Sequence, residues 1–183
     1  MSKQKRDQLG QICWALKQLG PAGAQKIQSS ICANQCLNDW GFDYQFRLGA
    51  CGVTSKELER DLNSLYLQQL VRVGRRNGRE VYEVAGEALT SDEQISTFEL
   101  VDSDCDLTVL GVVALLNSEK RREGGALHCW DVKNLYPWMD DLEIERAISF
   151  VEGRKEVGSK KRSRSRSRRR DERRMRDMFE LEF

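Results

Sequence analysis

Two early segments of the chain carry apolar residues at helical spacing. The first predicted helix covers residues 5–19 and ends at Gly20-Pro21. Its apolar stripe consists of Leu9, Ile12, Cys13, Leu16 and Leu19. The second covers roughly residues 22–40 and ends at Trp40-Gly41, where glycine allows a left-handed cap. Its inner face consists of Ile27, Ile31, Cys32, Cys36 and Leu37.

An alternating stretch and a third amphipathic helix follow. Phe42, Tyr44 and Phe46 alternate with polar residues, which predicts a short strand. A helix is predicted over residues 54–70, with Thr54 or Ser55 as its N-cap. Its inward residues are Leu58, Leu62, Leu65 and Leu70. Its outward residues include Lys56, Glu57, Glu59, Arg60, Asp61, Asn63 and Gln68.

Residues 71–84 predict a β-hairpin. Val71 and Val73 alternate with polar residues, Asn77-Gly78 suits a tight turn with positive φ angles, and Val81, Tyr82 and Val84 form the return strand. The order helix, helix, strand, helix, hairpin is typical of a winged-helix domain, which we predict for residues 1–89. Residues 54–70 are then its third helix and residues 71–84 its wing.

A helical extension packed on this domain is predicted for residues 90–152. It begins with an acidic loop, roughly 90–106, and continues with residues 107–116, which are apolar on all sides and therefore predict a buried helix. Shorter helices are predicted over residues 130–136 and 140–151. The predicted fold class is α+β and mostly helical: a winged helix-turn-helix with additional C-terminal helices.

Residues 153–183 have a different composition. Between residues 154 and 174 the only apolar side chain is Val157, so a disordered Arg/Ser-rich tail is predicted. The end of the chain, residues 175–183, regains apolar residues and predicts a short amphipathic element. These residues are Met175, Met178, Phe179, Leu181 and Phe183.

The net charge of +1 conceals an asymmetry between body and tail. Residues 154–183 contain 13 Lys/Arg and 6 Asp/Glu, a charge of +7, which leaves 17 against 23, or −6, for residues 1–153. A basic arm on an acidic body usually binds phosphate. The alternative is a tail that solubilises the protein or binds its own acidic body.

Two groups of basic residues are the predicted nucleic-acid contacts, because guanidinium groups pair bidentately with phosphate. The wing group consists of Arg72, Arg75, Arg76 and Arg79. The tail group consists of Lys160, Lys161, Arg162, Arg164, Arg166, Arg168, Arg169 and Arg170. The tail predicts sequence-independent, salt-sensitive affinity, and phosphorylation of its serines would reverse the charge.

The sequence gives little support to catalysis or to a metal site. The only histidine is His128, and neither a glycine-rich phosphate loop nor a nucleophile elbow is present. The six cysteines lack the spacing of zinc motifs and of disulfide scaffolds, so we expect free thiols. The prediction is a protein that is not an enzyme and has no catalytic residue, metal or cofactor.

A location in the cytoplasm is predicted. No apolar run reaches the length needed to span a bilayer, and the first residues lack the apolar core of a signal peptide. We therefore expect no membrane contact, with a nucleoid association left open and a nuclear location if the host is eukaryotic.

Several positions match the pattern of a known family. Tyr44 and Phe46 fit its aromatic strand, Glu57-Leu58 and Asp61-Leu62 fit its E-L-x-x-D-L helix, and residues 82–86 fit its closing strand. On these motifs, residues 9–152 resemble the prokaryotic YwgA-like winged-helix proteins, distantly akin to the Panacea domain of SocA-type antitoxins. The resemblance implies regulatory or antitoxin-like binding and supplies no catalytic residues.

The favoured function is a small nucleic-acid-binding regulator of transcription that contacts the DNA backbone through its wing and tail, with DNA favoured over RNA and the choice between them left open. The alternative is a protein-interaction adaptor or antitoxin-like module without direct DNA readout, favoured by the negative charge of the third helix. The sequence leaves open a homodimer and a protein partner for residues 175–183.

Overall fold

The computed structural model describes residues 3–38, 42–86 and 104–153. The predictions for the cap at Trp40-Gly41, for most of the acidic loop and for residues 154–183 lie outside these ranges. They include the tail contacts Lys160, Lys161, Arg162, Arg164, Arg166, Arg168, Arg169 and Arg170.

The described chain is α+β and mostly helical. Its front part contains α1 (Lys3–Leu19), α2 (Ala24–Asn38), β1 (Arg47–Gly49), β2 (Gly52–Thr54), α3 (Lys56–Leu67), β3 (Val71–Arg76) and β4 (Arg79–Val84). Its rear part contains α4 (Leu107–Arg122), α5 (Cys129–Leu135) and α6 (residues 141–153). No helix in these ranges is both long and apolar enough to cross a membrane.

The front core forms where α1, α2 and α3 meet. The stripes predicted from helical spacing supply its fully buried side chains: Ile12, Leu16, Ile27, Ile31, Leu58, Leu62 and Leu65. Ser55 is the N-cap of α3, since its hydroxyl accepts a hydrogen bond from the amide of Leu58 at 3.5 Å. These predictions of helix position and inner face are confirmed.

Helix α2 is buried on two sides. Residues 27–34 are all buried, because α4 packs on the side of α2 that faces away from the front core. The prediction that residues 107–116 form a buried helix is confirmed for residues 109–116. The two helices approach closely at Gly111, where an added Cβ would lie 2.8 Å from Ser29 Cα. The rear helices are therefore joined to the front core through α2.

The strand predicted around Phe42, Tyr44 and Phe46 was wrong in position. Side chains there do alternate in burial, but regular pairing begins only at β1, which forms an antiparallel hairpin with β2. At Tyr44 the side chain of Gln35 replaces a partner strand, because its amide donates to the carbonyl oxygen at 3.0 Å and accepts from the backbone N–H at 3.2 Å.

The hairpin of β3 and β4 is confirmed, including its turn. Asn77 and Gly78 have φ angles of 52° and 75°, as a tight two-residue turn requires. Strand β4 also pairs on its other side: the backbone of Tyr82 exchanges hydrogen bonds of 2.9 and 3.1 Å with Ala22, in the link between α1 and α2. The sequence did not predict this bridge.

The short rear helices lie close to their predicted bounds. The carboxylate of Asp106 caps α4, and that of Asp140 caps α6. The spacing of Leu142, Ile144, Ile148 and Val151 predicts one apolar face for α6, but Leu142 is 63% exposed. Tyr136, which follows α5, donates a hydrogen bond from its hydroxyl to the carbonyl of Gly49 at 2.8 Å and thereby fixes the rear helices to β1.

Candidate nucleic-acid interface

The β3–β4 register determines where the four wing arginines lie. Arg72 faces Glu83, Arg75 faces Glu80, and Arg76 faces Arg79 directly across the Asn77-Gly78 turn. Opposite residues in an antiparallel pair lie on the same face, and two like charges at such positions repel. The tip of the hairpin therefore concentrates positive charge that the partner strand does not neutralise.

Alternation along the strands divides the arginines between two faces of the hairpin. Arg72, Arg76 and Arg79 share one face with Glu83, whereas Arg75 lies on the other. All four are exposed. Three of the four guanidinium groups thus lie on one side, where they can contact a single extended polyanion.

Ion pairs in the described ranges lie elsewhere. They join Lys120 to Asp131 at 3.2 Å, Lys133 to Asp141 at 2.7 Å and Arg146 to Glu143 at 2.9 Å. None of them includes a wing arginine. Among the described residues, these arginines are therefore not paired with carboxylates of the same molecule.

Asp61 corrects the prediction for the outer face of α3. It was predicted to point outward, but it is only 4% exposed and accepts a hydrogen bond from the Tyr44 hydroxyl at 2.7 Å. Burial, and then this carboxylate, raise the pKa of Tyr44, so the phenol keeps the proton that it donates. A polar side chain on the inner face is tolerated because it has this partner.

The other carboxylates of α3 also have partners within the protein. Glu57 accepts a hydrogen bond from the backbone N–H of Gln45 at 2.9 Å, and Glu59 accepts one from the amide of Gln28 at 3.2 Å. Both residues belong to the first turn. The acidic character of α3 thus serves internal structure at its N-terminal end.

The C-terminal end of α3 is different, because it exposes apolar side chains beside the wing. Tyr66 is 51% exposed and Leu67 79%. A pocket of about 400 Å³ opens between this end and β3, lined by Tyr66, Gln69, Val71, Arg72 and Val73. This group was not predicted from the sequence. The available signal was a Tyr-Leu pair at the end of an amphipathic helix, outside the stripe of buried leucines.

The six cysteines are thiols and are not joined in disulfides, as predicted. Cys13 and Cys32 are buried, and burial raises the pKa of Cys13 to about 11, so it is protonated at neutral pH. In the ranges that the structure covers, no three His, Cys, Asp or Glu side chains are grouped so as to hold a metal ion.

Comparisons with known proteins add no relative. No family model matches the chain, and neither a curated protein nor a solved structure matches it. The resemblance to the YwgA-like proteins therefore stays a prediction.

Proposed function

We propose that this chain is a winged-helix protein that binds nucleic acid through the β3–β4 hairpin and the adjoining end of α3. The role is regulatory and not enzymatic, DNA is the expected polyanion, and the basic residues after Gly153 add sequence-independent affinity. A location in the cytoplasm and the YwgA-like relationship are parts of the same hypothesis.

Support for the winged-helix assignment comes from the order of pairing. The chain passes through α1, an extended link, α2, α3 and the hairpin, and the link pairs with β4 through Ala22 and Tyr82. The hairpin is thereby held against the link between α1 and α2 through β4, while residues 72–80 are exposed. The β1–β2 hairpin is an addition between α2 and α3.

One observation carries the proposal: Arg76 and Arg79 face each other at the tip without an ion pair to a described carboxylate. Their mutual repulsion is relieved when a phosphate binds between them. Arginine is also weakly hydrated compared with lysine, so such a contact costs less desolvation.

The test is a salt titration of duplex DNA binding to the full chain, followed by fluorescence anisotropy. Arg76→Gln/Arg79→Gln should flatten the plot of log affinity against log salt by about 0.9, because the one phosphate that both arginines contact is lost and each phosphate contact changes the slope by about that amount. The control is Arg121→Gln/Arg122→Gln, which removes two basic residues from the last turn of α4. Equal slopes for the two double variants would reject the proposal.

A protein-interaction adaptor is the second candidate function. It is favoured by exposed large side chains in the rear part of the chain, since Trp130 is 60%, Trp138 61% and Leu142 63% exposed. The acidic face of α3, which the sequence analysis gave as support, supports it less, because Asp61 is buried. A stoichiometric partner that is retained without nucleic acid and lost in Trp138→Ser would favour this function over the first.

A further inference from the structure

The pocket between α3 and β3 brings together groups of three chemical kinds. Tyr66 supplies an aromatic ring, Gln69 an amide that both donates and accepts hydrogen bonds, and Arg72 a guanidinium group. Its volume of about 400 Å³ lies within the usual range for sites that bind small organic groups. Its lining continues into the wing, because Arg72 belongs to both.

Gln69 adopts a backbone conformation that glutamine rarely takes. Its φ angle is 60°, in the left-handed region that favours glycine and tolerates asparagine. It closes α3, with its N–H donating to the carbonyl of Tyr66 at 2.9 Å while the next amide donates to Leu65. Glycine would serve this closure with less strain. The closure alone therefore does not explain why this position carries a glutamine side chain.

The outer edge of β3 adds backbone groups to the pocket. Ala85 N–H donates to the carbonyl of Leu70 at 2.9 Å, so these opposite residues form a hydrogen-bonded pair. Such pairs alternate along an antiparallel ladder, which directs the backbone groups of Val71 and Val73 away from β4. Within the described chain, no strand pairs with this edge. Val71 and Val73 are also the two apolar residues that line the pocket.

We infer that this pocket binds an unpaired base of a single-stranded nucleic acid whose phosphates contact the wing arginines. Tyr66 stacks on the base, because every base offers an aromatic face. The amide of Gln69 pairs with the base edge, and Arg72 contacts the adjacent phosphate. This inference rests on the proposed function, and it adds that single strands are preferred to duplexes.

The chemistry of the surroundings favours nucleic acid over a peptide that would add a strand to β3. A peptide gains its affinity there from backbone hydrogen bonds and has no need of an aromatic ring or of clustered guanidinium groups. Here Tyr66 and Arg72 line the pocket, and Arg76 and Arg79 follow farther along the hairpin. This combination matches a stacking platform beside a basic track.

The test compares a short oligothymidylate with a duplex of the same length, both titrated against the full chain. Tyr66→Ala should weaken single-strand binding by about tenfold, the usual loss for one stacked base, and change duplex binding less than twofold. Gln69→Gly should weaken single-strand binding in the same direction without loss of folding. The matched control is Leu67→Ala, which removes the neighbouring and more exposed side chain outside the pocket.

An abasic oligonucleotide makes the test independent of changes in folding. Wild-type protein should bind it as weakly as Tyr66→Ala binds the intact strand, and the variant should not distinguish the two strands. Two results would overturn the inference. One is that Tyr66→Ala weakens single-strand and duplex binding equally, and the other is that Tyr66→Ala still binds the abasic strand more weakly than the intact strand, by as large a factor as the wild type does. Failure of the proposed function gives a different result: Arg76→Gln/Arg79→Gln then leaves both nucleic acids bound as before.

Discussion

The substitution Gly111→Ala sets two effects of known size against each other. Alanine is favoured over glycine inside a helix by about 1 kcal/mol, so propensity alone predicts a more stable α4. The added Cβ, however, would lie 2.8 Å from Ser29 Cα, 2.9 Å from Ser29 Cβ and 3.0 Å from Ser29 O. Overpacking of this kind costs about 1–3 kcal/mol, and more where backbone atoms must move. Two of these contacts are with backbone atoms of α2, which cannot yield without separating the helices. We expect the free energy of unfolding to fall by about 2 kcal/mol.

Urea denaturation followed by circular dichroism measures this change. The control is Gly74→Ala in β3, where the added Cβ meets only Val81 Cγ2, at 4.0 Å. It should leave the midpoint unchanged or raise it slightly. A Gly111→Ala variant as stable as the wild type would show that α4 can shift on α2 at little cost. The close packing described here would then be refuted.

Three further predictions concern single side chains. Tyr44→Phe should lower the free energy of unfolding by about 1.5–3 kcal/mol, because the buried carboxylate of Asp61 loses a donor; an unchanged urea midpoint would contradict this. Gln69→Gly should raise it by about 1 kcal/mol in the same assay, since glycine takes the positive φ angle without strain, and a lower midpoint would contradict this. Burial raises the pKa of Cys13 to about 11 from an ordinary 9.0, so the folded protein keeps this proton to a higher pH than the unfolded chain does. The stability that the buried thiol contributes below pH 9 should therefore be lost as the pH rises through 11. Urea titrations across this range should show a smaller loss for Cys13→Ala, and equal losses would contradict the assignment.

Local signals in the sequence were sufficient where one segment determines its own structure. The leucine stripe of α3 and the Ser55 cap need only helical geometry, and the Asn77-Gly78 turn needs only its two φ angles. Each feature is enforced within a few residues along the chain. The predicted helices and the β3–β4 hairpin were therefore found with nearly correct bounds.

Features that depend on distant partners were not predicted. The bridge between Ala22 and Tyr82 joins residues that no local pattern relates. Asp61 is more instructive, because its position three residues after Leu58 places it on the inner face by spacing alone. Its polar identity led to the opposite prediction. The hydroxyl of Tyr44, supplied by a separate segment, helps to make its burial favourable.

The distribution of charge on α3 determines which end of that helix can meet a polyanion. Helices that read base edges in the major groove usually do so with residues near their N-terminus. In α3 that end carries Glu57 and Glu59, both engaged by groups of the same chain. The C-terminal end carries Tyr66 and lies beside Arg72 of the wing. Under the proposed function, a nucleic acid would avoid the first turn and meet the last, where the contacts would be chiefly with phosphates and with the faces of bases. Phosphates and base faces distinguish one base from another only weakly, and Gln69 alone would contact a base edge, so affinity should follow charge and the availability of unpaired bases more than a target sequence.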